Sequence, residues 1–92
     1  MPTTSAQLFA LAQAGGADGQ AAFVALARQH QAWLIRLLHG LLGDLGAADE
    51  VAEEVLVTAY ELLPQLQNPA GFHLWLRTIA TRQAFNHRRD AG

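Results

Sequence analysis

The stretch Gly71 to Asp90, GFHLWLRTIATRQAFNHRRD, sets Phe72, Trp75, Leu76 and Ile79 at i, i+3, i+4 and i+7, and it holds four of the chain's six arginines. On a helix of 3.6 residues per turn those four apolar side chains share one face, and other elements must cover it. The same wheel puts Thr78, Arg82, Phe85 and Arg89 on a stripe away from the anchors, and Arg77, Thr81 and Arg88 on a second outward line. One helix therefore carries an apolar anchor and two rows of cationic donors.

The cover for that anchor lies upstream. Ala48, Val51, Ala52, Val55, Leu56, Ala59, Leu62 and Leu63 keep helical spacing over 47–63. Pro64 should end this helix, and Asp49 and Glu50 are expected in its first turn, where the helix dipole favours acids. Earlier still, Phe23, Leu26, Ala27, His30, Leu34, Leu37, Leu38 and Leu41 hold one stripe for about five turns. Asp18 is expected to cap this long helix, with Gly43 and Asp44 stopping it. A short first helix, capped by Thr4 or Ser5, should run through Gln7, Leu8, Phe9, Leu11 and Ala12 to Ala14, where Gly15-Gly16 ends it. Residues 1–4 are expected to be loose. With no repeat, no low-complexity tract and no strand pattern, the expected fold class is all-α: a small helical bundle of three main helices plus a short N-terminal helix.

The chain has 92 residues, enough for one core, and half of them are apolar, which argues against disorder. It contains neither Cys nor Lys, so disulfides, thiolate metal sites, thiol nucleophiles and lysine Schiff bases are excluded. A cysteine-free chain is compatible with a reducing cytoplasm, the expected location. Ala12-Gln13-Ala14 superficially matches a signal-peptide cleavage site, but no basic segment precedes it and Gln7 interrupts the apolar run. No window reaches membrane-spanning length without a charge, so membrane insertion is not expected.

Net charge is only −2, but its distribution is uneven. Six acids and no base lie between Asp44 and Glu61, whereas four arginines face Asp90 alone from Phe72 onward. Such asymmetry bears on partners rather than on fold, although two solvated helix faces of different sign would give the same pattern. Glu50, Glu54 and Glu61 share a strip whose middle is Val57. Val57 reads either as a solitary exposed apolar residue or as an anchor for a basic partner helix. The segment Pro64-Gln65-Leu66-Gln67-Asn68-Pro69 reads as a rigid, neutral loop whose amides could recognise a base or satisfy their own turn.

Catalytic chemistry finds little support. Ser5 is the one serine and sits in an N-terminal cap, and the histidines at 30, 39, 73 and 87 form no HxxxH or HxxH pair. His30 reads as a boundary histidine bonded to a neighbour. The pairs Asp49 with Glu53 and Glu50 with Glu54 lie at i, i+4 on an exposed face, where they repel rather than share a proton. No catalytic residue, metal site or cofactor is expected.

Three pieces then match a known family in order and spacing: LFALAQAGGADGQAAFVALAR at 8–28, LLGDLGAADEVAEEVLVTAY at 41–60 and LPQLQNPAGFHLWLRTIATRQAFNHRR at 63–89. Together they resemble region 2 of a bacterial RNA polymerase sigma factor of the sigma-70 family, nearest to its extracytoplasmic-function class. The aromatic-x-x-Trp-Leu-x-x-Ile-Ala core of the last helix carries most of the likeness. The resemblance implies a non-enzymatic domain spanning residues 1–92, without the second helical domain, region 4, that reads the −35 element. Without that domain the chain is expected to bind polymerase yet initiate poorly alone.

The resemblance also divides the labour. Asp49, Glu50, Glu53, Glu54, Val57 and Glu61 would dock on the clamp-helix coiled coil of the β′ subunit of polymerase core. Gln65, Gln67, Asn68, His73, Arg77, Thr78, Arg82, Arg88 and Arg89 would engage the −10 element of promoter DNA, open it and hold a flipped base of the non-template strand. An anti-sigma factor is a further implied partner. The chain departs from the family pattern at Thr58, Gln65, Gln67 and His73, uncharged where arginine is common. Arg82 and Asn86 replace Asn and Asp, and Glu50 and Glu53 replace Asp and Gln. Fewer cations imply weaker promoter binding with a shallower salt dependence. The alternative is a degenerate helical interaction domain that binds proteins without a DNA role.

Overall fold

A computed structural model describes residues 4–91. Four helices follow one another, α1 (Ser5–Ala14), α2 (Gly16–Leu42), α3 (Leu45–Leu62) and α4 (Phe72–Ala91), and two single 3-10 turns, Leu63–Gln65 and Pro69–Gly71, join α3 to α4. The fold is all-α, with no strand among the described residues. Helix α2 has 27 residues, about 40 Å at 1.5 Å per residue, and so sets the long dimension of 42 Å. Helices α1, α3 and α4 all pack on α2, α3 packs on α4, and α1 also reaches both 3-10 turns.

The core is built from one stripe of each helix. Leu26, Leu34 and Leu38 of α2, Val51 and Val55 of α3, Leu63 of the first turn and Leu76 of α4 are its largest fully buried side chains. On α4 the buried residues are Phe72, Leu76, Ala80 and Ala84, a pure i+4 ridge, while Trp75 and Ile79 are only half-buried. The two alanines replace part of the anchor expected at Trp75 and Ile79, because an i+4 row of small residues lets α4 approach its neighbours closely. Leu37, Leu41, Leu56 and Leu62 are likewise half-buried, at the margins of their stripes.

The start of α1 follows the expectation, and those of α2 and α3 differ from it by a few residues. Thr4 caps α1 through a reciprocal pair: its Oγ1 accepts from the Gln7 amide at 3.2 Å and its own amide donates to Gln7 Oε1 at 3.3 Å. Thr4, expected to be loose, thus takes part in the α1 cap, and residues 1–3 lie outside the described residues. Helix α2 starts at Gly16, not at an Asp18 cap, and Asp18 falls in its first turn, where it still complements the dipole. Helix α3 starts at Leu45 because Asp44 caps it, accepting from the Ala47 amide at 3.0 Å. Asp49 and Glu50 consequently lie beyond the first turn, and the range 47–63 becomes 45–62.

A one-residue connection joins α1 to α2. Gly15 and Gly16 both have positive φ, 79° and 73°, which side chains with a Cβ rarely tolerate. Gly19, one turn into α2, lies so near α1 that a Cβ would sit 3.0 Å from the Leu11 carbonyl oxygen. The glycine-rich segment is thus a tight turn followed by a close helix crossing. It holds α1 against the side of the bundle that carries the 3-10 turns.

Candidate functional site

The acids of α3 project from the side opposite its core stripe. Asp49, Glu50, Glu53, Glu54 and Glu61 are all exposed, and Val57 leaves 60% of its surface in solvent among them. Val57 is also the shared wall of two depressions. One is lined by Glu50, Glu53, Glu54, Val57 and Thr58. The other is an apolar groove between α2 and α3, lined by Gln20, Phe23, Val24, Leu56, Val57 and Tyr60. Val24 and Tyr60 are exposed at 45% and 40%, and the Tyr60 ring stands edge-on to Phe23 at 5.1 Å. The structure therefore joins the acidic strip to an apolar surface half supplied by α2, and residues Gln20, Val24 and Tyr60 were not legible as part of it. Their signal in the sequence is weak, since each lies off the α2 and α3 stripes that mark the core.

The connection between α3 and α4 is partly ordered by its own hydrogen bonds. Asn68 Oδ1 accepts from the Ala70 amide at 3.0 Å and so caps the second 3-10 turn, a cap that does not use its side-chain N–H donors. Gln65 and Gln67 are exposed. Gln13 of α1 braces the segment from outside: its Nε2 donates to the Leu63 carbonyl oxygen at 3.1 Å and to that of Leu66 at 2.5 Å. Phe9, also on α1, meets Phe72 edge-on at 6.3 Å. Both ends of the connection are thereby held by a helix that no pattern in the connection itself reveals.

Arg77, Thr78, Arg82, Arg88 and Arg89 are all exposed on α4. Thr78 and Thr81 donate their hydroxyl protons to the carbonyl oxygens four residues back, those of Leu74 and Arg77, both at 2.9 Å. Each hydroxyl keeps acceptor capacity for a ligand. Arg89 lies 3.7 Å from its neighbour Asp90, both well exposed, and this is the one ion pair among the described residues. The acids of α3 thus leave the arginines of α4 unneutralised, and two surfaces of opposite sign persist on one small bundle.

An aromatic cluster fills the joint between α2 and the start of α4. Trp33 Nε1 donates to His30 Nδ1 at 2.9 Å, the His30 ring lies 5.0 Å from Phe72, and the His73 ring lies tilted against Trp33 at 4.3 Å. His30 is a hydrogen-bonded boundary histidine, and its pKa is held below the ordinary 6.5 by burial first and by His73 second. His73, although exposed, is in ring contact with this cluster. Among the described residues no group of three or more metal-ligating side chains converges. No described helix is long and apolar enough to cross a membrane.

Comparison with known proteins bears on the family of the chain. Residues 26–92 match the protein family described as Sigma-70 region 2. The RNA polymerase sigma-H factor of Pseudomonas aeruginosa is 32% identical over 66 residues, 72% of this chain and 34% of that protein. The chain thus spans about a third of the length of this curated relative. No solved structure matches it.

Proposed function

The chain belongs to the sigma-70 region 2 family, a family of non-enzymatic transcription initiation factors, and on that premise we propose that it docks on RNA polymerase core and recognises promoter DNA. The observation that carries this reading is the separation of charge: acids with Val57 on α3, arginines on α4, and no ion pair between them among the described residues. Charges that a small domain leaves uncompensated are available to partners of the opposite sign.

In this reading Asp49, Glu50, Glu53, Glu54, Val57 and Glu61 face the clamp helices of the β′ subunit, with the adjoining groove of Val24 and Tyr60 enlarging the apolar centre. Gln65, Gln67 and the free amide N–H group of Asn68 address an unstacked base of the −10 element on the non-template strand. Arg77, Arg82, Arg88 and Arg89 neutralise phosphates, and Thr78 and His73 border them. We assign the chain to the extracytoplasmic-function class on the sequence pieces quoted above. Cytoplasmic location, an anti-sigma partner and the extent 1–92 as one region 2 domain belong to the same proposal.

A purely protein-binding domain is the competing reading, favoured by the packing of His73 against Trp33 and by the use of Asn68 in its own turn. Salt separates the two. Binding of single-stranded −10-like DNA that weakens steeply with ionic strength, and is lost on charge reversal at Arg82 and Arg89, supports the DNA role. Absence of DNA binding at low salt, with polymerase binding intact, would favour the competitor.

A further inference from the structure

Two exposed helix faces repeat one spacing with the charges inverted. On α3, Glu54 precedes Val57 by three residues and Glu61 follows it by four. On α4, Arg82 precedes Phe85 by three and Arg89 follows it by four. All six side chains are exposed, Val57 at 60% and Phe85 at 67%. Positions three and four apart are neighbours on a helix surface. Each apolar side chain therefore sits between two like charges about 10 Å apart along the axis, the rise of seven residues. On the other flank Glu53 borders Val57 and Arg88 borders Phe85.

Phe85 also ends a longer stripe. Leu74, Thr78, Thr81 and Phe85 fall at i, i+4, i+7 and i+11, the spacing of a helix that packs on another helix. All four are exposed, and both threonines turn their hydroxyls back to main-chain carbonyl oxygens of α4. Such a stripe calls for a partner helix, and the bordering Arg77, Arg82, Arg88 and Arg89 require that helix to be acidic. The outer face of α3 has this chemistry, but the two faces do not meet within one chain. Thr58 and Gln83 bridge the α3–α4 seam, and the one ion pair among the described residues joins Arg89 to its exposed neighbour Asp90.

We propose that the chain associates head-to-tail with a second copy of itself, the Val57 face of α3 in one copy lying antiparallel on the Phe85 face of α4 in the next. In that register Val57 meets Phe85, Glu54 meets Arg89, Glu61 meets Arg82 and Glu53 meets Arg88. Each copy carries one of each face, so both can be engaged at once. The contact takes one helix face from each copy, which puts it among the small, transient interfaces below about 1,200 Å². Its strength is largely electrostatic, so it forms at low salt and high concentration. A net charge of only −2 leaves little overall repulsion to oppose it. The inference stands on these spacings alone and needs neither partner assigned above; a copy so engaged offers neither face to polymerase nor to DNA.

Sedimentation of the wild-type chain at low salt, over a concentration series reaching the millimolar range, tests the contact alongside three variants. Glu54→Arg/Glu61→Arg makes both faces basic, and Arg82→Glu/Arg89→Glu makes both acidic. The quadruple variant exchanges the two signs and keeps the wild-type net charge. The expected average mass of the wild type rises with concentration to twice that of one chain or more. In about 1 M salt, where the Debye length is about 3 Å, it returns to that of one chain. Each double variant stays single at every concentration, whereas the quadruple variant, and an equimolar mixture of the two double variants, associate again. A wild-type chain that stays single throughout at low salt would overturn the proposal and leave the two faces to other partners. Association that persists in both double variants, or that neither the quadruple variant nor the mixture regains, would overturn the pairing of these faces.

Discussion

The side-chain amide of Gln13 donates to the carbonyl oxygen of Leu66 across 53 residues of sequence, and the same nitrogen reaches the Leu63 oxygen at 3.1 Å. A short N-terminal helix thereby fixes the two carbonyls that flank Gln65. The Leu63 oxygen also accepts from the Leu66 amide at 3.1 Å, so the clamp and the first 3-10 turn reinforce each other. Replacing Gln13 with Leu removes the donor while keeping a similar volume. The expected cost is about 1 kcal/mol of stability, with several-fold faster amide exchange at Leu66 and unchanged exchange in the centre of α2. Hydrogen exchange followed residue by residue checks it, and uniform protection in the variant would show that Gln13 does not hold the loop.

His30 makes stability depend on pH in a defined direction. Its folded pKa lies below 6.5, from burial first and His73 second, so between the two values the unfolded chain binds a proton that the folded chain does not. Stability contributed by the neutral ring is full above the unfolded pKa and declines as pH falls, from about pH 7.5 downward, until the folded pKa is passed. Protonation also places a proton on Nδ1, the atom that accepts from Trp33 at 2.9 Å. A His30→Gln variant, which keeps an acceptor and cannot titrate, should lose this part of the pH dependence. Denaturant unfolding at pH 8 and pH 6 would reveal it, and an equal pH response in the variant would exclude His30 as the source.

Gln83 exposes a local imperfection in the α3–α4 seam. Its Nε2 donates to Thr58 Oγ1 at 2.6 Å, while its Oε1 is buried without a partner. Thr58→Val alone strands the whole amide and should cost about 1–3 kcal/mol. Adding Gln83→Met removes the stranded group and should recover most of that loss, because replacing both polar partners by apolar groups of similar shape is nearly neutral. A double-mutant cycle in urea measures the coupling, and simple additivity of the two changes would contradict a shared bond.

What the sequence made legible follows from which signals are local. The stripes of Leu26, Leu34 and Leu38 and of Val51 and Val55 repeat within one helix, so the bundle could be read from periodicity alone. Exposure of Val57 and of the arginines followed from the same wheels. Ala84 was missed, and Ala80 entered only through the family motif, because alanine is as frequent on surfaces as in helix seams, and only the approach of α3 and α2 reveals their burial. Caps at Asp44 and Gly15 shifted the helix starts, since a stretch with several candidate caps does not rank them. Gln13, Val24 and Tyr60 contribute through contacts between elements distant in sequence, and no spacing within their own helices points to the loop or to the groove.

The docking face gives the most direct test of the whole account. Glu54 and Val57 line the same depression, and Val57 also walls the apolar groove. Both are exposed, so Val57→Asp and Glu54→Lys should leave folding nearly unchanged. The decisive measurement is a titration of the chain and these two variants against RNA polymerase core or a β′ clamp-helix fragment. Saturable binding by the wild-type chain, weakened about tenfold or more by each change, is the predicted result. Absence of binding at low salt, or equal binding by all three proteins, would contradict the assignment of this face to the polymerase.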